Sequence, residues 1–228
     1  MRTFLNTARN NGSAVSATRF SDVRWCPEID STNRLAADLA RAGAADGLVI
    51  GADHQTAGRG RRGRAWESPA GSGLLVSVVL RPVPPLVTLA AGLAAAEACE
   101  ALAGVATSLK WPNDVLVGDR KLGGILSELV GDAAVVGLGL NLTWAPEGAA
   151  CLGPDVERTE LLAAYLAGLD NPPNVLDRYR SRCATIGRRV RVELPGETVE
   201  GMAEAVDAEG RLVVDGRKIT AGDVVHLR

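Results

Sequence analysis

Lysine is scarce in this 228-residue chain: of 25 basic residues only Lys110, Lys121 and Lys218 are lysines, and the rest are arginines. A chain so biased keeps a lysine where ammonium chemistry differs from guanidinium chemistry. Cysteine and histidine are also few. Cys26, Cys99, Cys151 and Cys183 form no CxxC pair and have two histidines to join them, which argues against both a zinc site and a disulfide framework. Four free thiols suit a reducing compartment, and a cytoplasmic protein is expected. No apolar run approaches the ~20 residues of a membrane span, which excludes an integral membrane protein. The net charge of −2 gives no reason to expect a nucleic acid or a membrane surface as partner. Residues 1–20 hold Arg2, Arg9 and Arg19 and no acid, a composition that overlaps with transit peptides but lacks the apolar segment of a secretory signal. They are read as part of an N-terminal arm, 1–24, too short for a helix-turn-helix domain.

What remains is an ordinary globular composition, 46% apolar and 23% charged. Ser31-Thr32-Asn33 can cap a helix carrying Leu35, Ala36, Leu39 and Ala40 and ending at Gly43. Residues 47–52 and 74–80 predict buried strands, 86–102 a core helix, and 107–109, 115–117, 125–129 and 135–140 further strands with Gly-Asp turns between the later ones. Segments 159–168 and 173–186 read as helices. This order predicts an α+β fold, a mixed β-sheet with helices on one face. From Arg188 onward five short strands separated by turns predict a small barrel of SH3 size. The expected division is a catalytic domain over 25–186 and a C-terminal domain over 187–228.

The segment Gly58-Arg59-Gly60-Arg61-Arg62-Gly63-Arg64 contains a literal G-x-G-x-x-G, but it leads into a loop and a strand rather than a helix, so the dinucleotide-binding reading is rejected. Four arginines among glycines, with no acid between them, can fold over a highly anionic ligand such as ATP beside a carboxylate. A solvated basic loop would look the same. Trp66 favours the ligand, because a Trp in a polar, Gly-rich loop offers a flat face for a base or an arginine. Lys110-Trp111-Pro112-Asn113-Asp114 presents an ammonium, a carboxamide and a carboxylate from one stiff bend. Lys121-Leu122-Gly123-Gly124 follows seven residues later, and Gly139-Leu140-Asn141 closes the series.

These motifs, in this order and spacing over roughly residues 25–145, resemble the biotin–protein ligase family, also called biotin–[acetyl-CoA-carboxylase] ligases. The resemblance implies a class II synthetase-like catalytic domain followed by an SH3-like domain. It implies that biotin and ATP form biotinyl-5′-AMP and pyrophosphate, with Mg²⁺ on the phosphates, and that biotin then passes to a lysine of a biotin carboxyl carrier domain. By the same resemblance Ser31, Thr32, Asn33, Gln55, Gly58, Arg59, Gly60, Lys121 and Gly124 would hold biotin. Arg61, Arg64, Trp66, Lys110, Asn113 and Asn141 would hold ATP. Lys121, Arg59 and Arg61 would be catalytic, Asp114 would help position the metal, and Arg62 would face solvent.

The chain resembles the ligase-only members, without a winged-helix repressor domain. Its basic run Arg178, Arg180, Arg182, Arg188, Arg189 and Arg191 is read as a solvated helix face and strand edge rather than a nucleic-acid site. Lipoate–protein ligase is the nearest rival enzyme, and a biotin- or nucleotide-binding sensor without turnover is the non-enzymatic alternative. A homodimer built through the sheet is compatible with the sequence, which shows no clean exposed apolar edge to specify it.

Overall fold

The computed structural model describes residues 19–227. Its elements run β1 (Val23–Ile29), α1 (Thr32–Arg41), β2 (Val49–Gln55), β3 (Gly73–Leu80), α2 (Val87–Ala103), β4 (Thr107–Lys110), β5 (Asp114–Val117), β6 (Arg120–Val130), β7 (Ala133–Asn141), α3 (Arg158–Leu169) and α4 (Val175–Arg182), then β8 (Arg189–Leu194), β9 (Glu197–Val206), β10 (Leu212–Val214), β11 (Arg217–Ile219) and β12 (Asp223–His226). The strand the periodicity did not predict is β1. Pro27 interrupts it, which a central strand would not tolerate but an edge strand does, and it lies at the edge, parallel to β2. Of the expected N-terminal arm, residues 1–18 lie outside the described residues. Phe20 is buried and Val23 already pairs with Val49.

Seven strands form a mixed sheet in the order β1-β2-β3-β7-β6-β5-β4, antiparallel except at β1–β2. A second, five-stranded antiparallel sheet has the order β11-β10-β9-β8-β12. Among the described residues no helix is long and apolar enough to cross a membrane.

Helices lie on both faces of the large sheet rather than on one. Leu74, Val76, Val78 and Leu80 of β3 and Ala134, Val136 and Leu138 of β7 pack toward α2 and α3, where Leu89, Leu93, Leu161 and Tyr165 complete the main core. The alternate residues, Val79, Val135 and Ala133 with Ile50 of β2, pack under Ala36, Ala37 and Ala40 of α1. Central strands that are apolar on both faces carry no label saying which face a helix covers, so the one-sided layout was not decidable from the pattern. Alanine on the inner side of α1 lets its backbone lie close to the sheet, bringing the start of the helix down onto β3, β6 and β7.

The C-terminal sheet is joined to the large one by specific bonds. The Trp111 indole donates to Gly210 O at 2.9 Å, Thr185 Oγ1 accepts from Trp111 N at 3.0 Å, and Arg180 Nε donates to Val206 O at 2.7 Å. The helix part of the basic run is therefore not simply a solvated face, while Arg188 and Arg189 at the strand edge are exposed. Arg178 reaches both carboxylate oxygens of Glu97, at 2.7 and 2.6 Å, Arg182 reaches Glu100 at 2.6 Å, and Arg188 reaches Asp119 at 3.2 Å. These ion pairs fasten α4 to α2 and the start of the second sheet to the β5–β6 turn.

Candidate active site

The cleft lies on the α1 face of the large sheet, and its floor exists because particular strand positions have no side chain. In register across the strands stand Ile50, Ser77, Gly137 and Leu126, and one step along stand Ala52, Leu75, Gly139, Gly124 and Asp114. A Cβ on Gly137 would collide with the Asn33 carboxamide, one on Gly139 would stand 2.6 Å from the Trp66 ring, and one on Gly124 would stand 3.2 Å from Lys121 Nζ. These glycines give room on a face that residues of ordinary size would fill.

Around this floor one cavity is lined by Ser31, Thr32, Asn33, Gln55, Arg59, Gly60, Arg61, Arg64, Trp66, Asn113, Lys121 and Gly124. Residues from five separate stretches of sequence thus meet in one place. Gln55 Oε1 accepts from Thr32 N at 2.8 Å and from Thr32 Oγ1 at 3.0 Å, linking the end of β2 to the start of α1. Residues 59–65 fold over the cavity as a tight hairpin, closed by Gly60 N to Arg64 O at 2.7 Å and Trp66 N to Gly58 O at 3.0 Å. Gly58 itself does not line the cavity; it is glycine because a Cβ there would run into the Trp66 carbonyl. The Trp66 indole N–H is buried with no partner among the described residues, an orphan donor in the cavity wall.

The cations of the site have definite partners. Arg59 makes a bidentate pair with Glu128 at 2.9 and 3.2 Å. Arg61 donates to Asn113 Oδ1 at 3.1 Å and to Gly222 O at 3.2 Å, and burial pushes its guanidinium below the usual range against the pull of Asp223 and Asp114. Arg64, Arg62 and Arg61 all approach Asp223, at 3.0, 3.5 and 3.9 Å. Arg62 therefore does not simply face solvent. Lys121 Nζ lies 2.7 Å from Asp114 Oδ1 and 5.7 Å from the centre of the Trp66 ring.

Besides Gly58, three expected site residues do not line the cavity. Lys110 does not line the cavity; it stands opposite Asp114 in the β4–β5 ladder, its ammonium lowered by burial, with Asp114 acting to raise it and Lys121 to lower it further. Asn141 is buried and donates to Ala150 O at 3.0 Å, while Ala150 N donates to Lys121 O, so it holds the 142–153 segment against the ends of β6 and β7 instead of facing the cavity. Asp114 is engaged by Lys121, and among the described residues no three Asp, Glu, His or Cys side chains stand together as a metal site would require. One carboxylate is enough only for a cation that arrives on phosphates and keeps most of its own water.

Sequence reasoning passed over Ser77, Glu128 and Asp223. Ser77 is the single polar residue inside an apolar strand, a signal that was available, and its Oγ lies 2.8 Å from Thr32 Oγ1 and 2.6 Å from Asn33 Oδ1. Asp223 comes from the other sheet and had no local mark. A second cavity, bounded by Arg62, Trp111, Ser127 and Gly210, adjoins the first through Arg61, Asn113, Ile125 and Leu126.

Comparison with known proteins agrees with this geometry. Residues 25–141 match the Biotin/lipoate A/B protein ligase family, and residues 185–227 match the Biotin protein ligase C terminal domain. The biotin–[acetyl-CoA-carboxylase] ligase of Mycobacterium tuberculosis is 43% identical, over 88% of this chain and 87% of that one. Among solved structures, a biotin protein ligase from Aquifex aeolicus in complex with biotin and ATP superposes with a TM-score of 0.79 at 29% identity, covering 92% of this chain and 100% of that one. One from Leishmania major in complex with biotinyl-5-AMP superposes with a TM-score of 0.65 at 26% identity, covering 91% and 98%.

Proposed function

The chain belongs to the biotin/lipoate A/B protein ligase family, and from that premise we infer how its cleft serves a biotin–[acetyl-CoA-carboxylase] ligase. The enzyme activates biotin with ATP to biotinyl-5′-AMP, releasing pyrophosphate, and transfers biotin to a lysine amine of an acceptor protein. The acceptor is a biotin carboxyl carrier domain of a carboxylase, in keeping with the relatives' name. The observation that carries the reading is the meeting of Thr32, Gln55, Arg59, Arg61, Trp66 and Lys121 in one glycine-floored cavity.

In the first step a carboxylate oxygen of biotin attacks the α-phosphorus of ATP, a new O–P bond forms, and the bond to pyrophosphate breaks. Both reactants are anions, so the barrier is largely electrostatic and fixed positive charge in a partly desolvated site lowers it. Arg61 and Arg64 take the phosphates, exchanging the shared Asp223 for oxygens that carry more charge. Lys121, held by Asp114, contacts the carboxylate and then the acyl-phosphate. Ser31, Thr32 and Gln55 supply the small polar groups that recognise the ureido ring, with Gly124 and Gly60 giving it room. Trp66 covers the nucleotide, and its free indole N–H finds an acceptor there. Mg²⁺ held on the phosphates of ATP would neutralise part of their charge, and Asp114 would be the carboxylate to share in holding it through its water shell. In the second step the acceptor amine attacks the acyl carbon, its proton is lost, and AMP leaves. Exchange of labelled pyrophosphate into ATP tests the reading: exchange that requires biotin supports it, and exchange that requires lipoate, or binding without exchange, overturns it in favour of a lipoate ligase or a sensor.

A further inference from the structure

We propose that Glu128 is a positioning residue of this ligase: it aims Arg59 at the biotin pocket, and Ser77, acting through Asn33, aims Glu128. The proposal rests on the reading of Arg59 as a biotin contact. Of the four arginines in the hairpin, three converge on Asp223 of the second sheet, while Arg59 pairs with Glu128 of β6. The pair is bidentate, which fixes the plane of the guanidinium as well as its position, and uses two of its five N–H donors while Arg59 still lines the cavity.

Glu128 is itself held. Its Oε2 accepts from Asn33 Nδ2 at 2.9 Å; the same nitrogen donates its other proton to Leu126 O at 3.1 Å; and Asn33 Oδ1 accepts from Ser77 Oγ at 2.6 Å. Every polar group of the Asn33 carboxamide is thus used within the protein, so Asn33, expected among the biotin contacts, is a hub whose orientation is set from behind. The positions around it are spent on that orientation rather than on packing. Ser77 is fully buried on the α1 face of an otherwise apolar strand, beside Ile50 and Gly137, where an apolar side chain would avoid the cost of burying a hydroxyl. Gly137, beside Ser77 in the ladder, is the residue on which any Cβ would strike the Asn33 carboxamide. A line of bonds therefore runs Ser77–Asn33–Glu128–Arg59 from the sheet interior to the cavity wall.

The test uses the full-length chain and biotin-dependent pyrophosphate exchange. Absence of exchange in the unmodified protein overturns the ligase reading itself, independently of the variants. Given exchange, Glu128→Gln, which keeps the shape but not the charge, is expected to raise the biotin KM about tenfold and leave the ATP KM within about twofold. Ser77→Ala is expected to raise the biotin KM about threefold. The double variant Arg59→Ala/Glu128→Gln should be no worse than Arg59→Ala alone, the signature of a residue that acts through another. An unchanged biotin KM in Glu128→Gln, an equal rise for ATP, or full additivity with Arg59→Ala overturns the proposal. Should Glu128→Gln lose cooperative unfolding, Glu128→Asp takes its place and must show the same biotin-selective rise.

Discussion

Arg59, Arg61, Arg62 and Arg64 share two carboxylates, Glu128 and Asp223, whereas Arg178, Arg180, Arg182 and Arg188 have four among them, Glu97, Asp177, Glu100 and Asp119. Along the sequence the two stretches look alike, dense in arginine and poor in acid. In space they are opposites. The second group is charge-matched and spans element boundaries, so it acts as glue between α2, α4 and the second sheet. The first is left with excess positive charge on a glycine-rich hairpin above a cavity, and excess charge that the protein does not neutralise is what attracts a polyanion. Arginine density alone does not mark a binding site; the supply of partners does.

The widest separation between the two groups should appear in catalysis. Arg61→Ala and Lys121→Ala are expected to slow biotin-dependent pyrophosphate exchange by about 10²–10³-fold, the usual size of losing a preorganised charge at the reacting centre, with melting temperatures close to the parent's. Single-turnover exchange together with thermal melts checks this, and near-normal exchange in Lys121→Ala would remove it from its role. Arg178→Ala and Arg182→Ala should do the reverse, lowering the melting temperature by roughly 2–5 °C through loss of about 1–2 kcal/mol in partly buried pairs while exchange constants stay put. A kinetic defect in Arg182→Ala without a stability defect would break the contrast.

A smaller effect sharpens the account of the shared carboxylate. Asp223→Asn removes the anion that competes with phosphate for three arginines, so the ATP KM should fall by roughly two- to fivefold and become more sensitive to salt. A rise would mean that Asp223 aligns the arginines rather than withholding them. The smallest expected effect concerns acid. His226 is pushed down to about 4 by burial and by the nearby charges of Lys110 and Arg188. Its folded-state pKa is below its unfolded value of about 6.5, so the stability it contributes is complete above about pH 6.5 and is lost as pH falls toward 4. Glu100 adds to the same trend at lower pH. Burial would raise its carboxyl, but hydrogen bonds from Arg182 and Thr107 hold it below the usual carboxylate range, and protonation removes that contribution. Melts between pH 7 and 4 should therefore decline, and Arg188→Ala should make the His226 part of the decline smaller, because taking away one of the cations lets its folded-state value rise toward the unfolded one.

Much of the site was legible because its residues lie in short motifs with their own chemistry. The hairpin 58–64, Gln55, Ser31-Thr32 and Lys121 with its following glycines were all picked out, and all but Gly58, Arg62 and Gly63 line one cavity or adjoin its floor. What was not legible depended on long-range pairing. Asp223 stands about 160 residues beyond the arginines it holds, as Arg61 to Gly222 does, and nothing near it in sequence marks it. Asn141 was expected to face the nucleotide, but a residue at a strand end can turn toward either neighbour, and Ala150 took it. Strand β1 was hidden by Pro27, and the face covered by α1 by the symmetry of strands apolar on both sides.

The sequence by itself determined which residues carry charge, where the backbone must be small or stiff, and which stretches alternate as strands, since these follow from side-chain chemistry and local periodicity. The tertiary structure decided which cations keep a partner and which are left in excess, and which polar groups face the cavity. Those outcomes hang on strand register and on how the two sheets meet, and a shift of one residue in register turns every side chain of a strand to the opposite face.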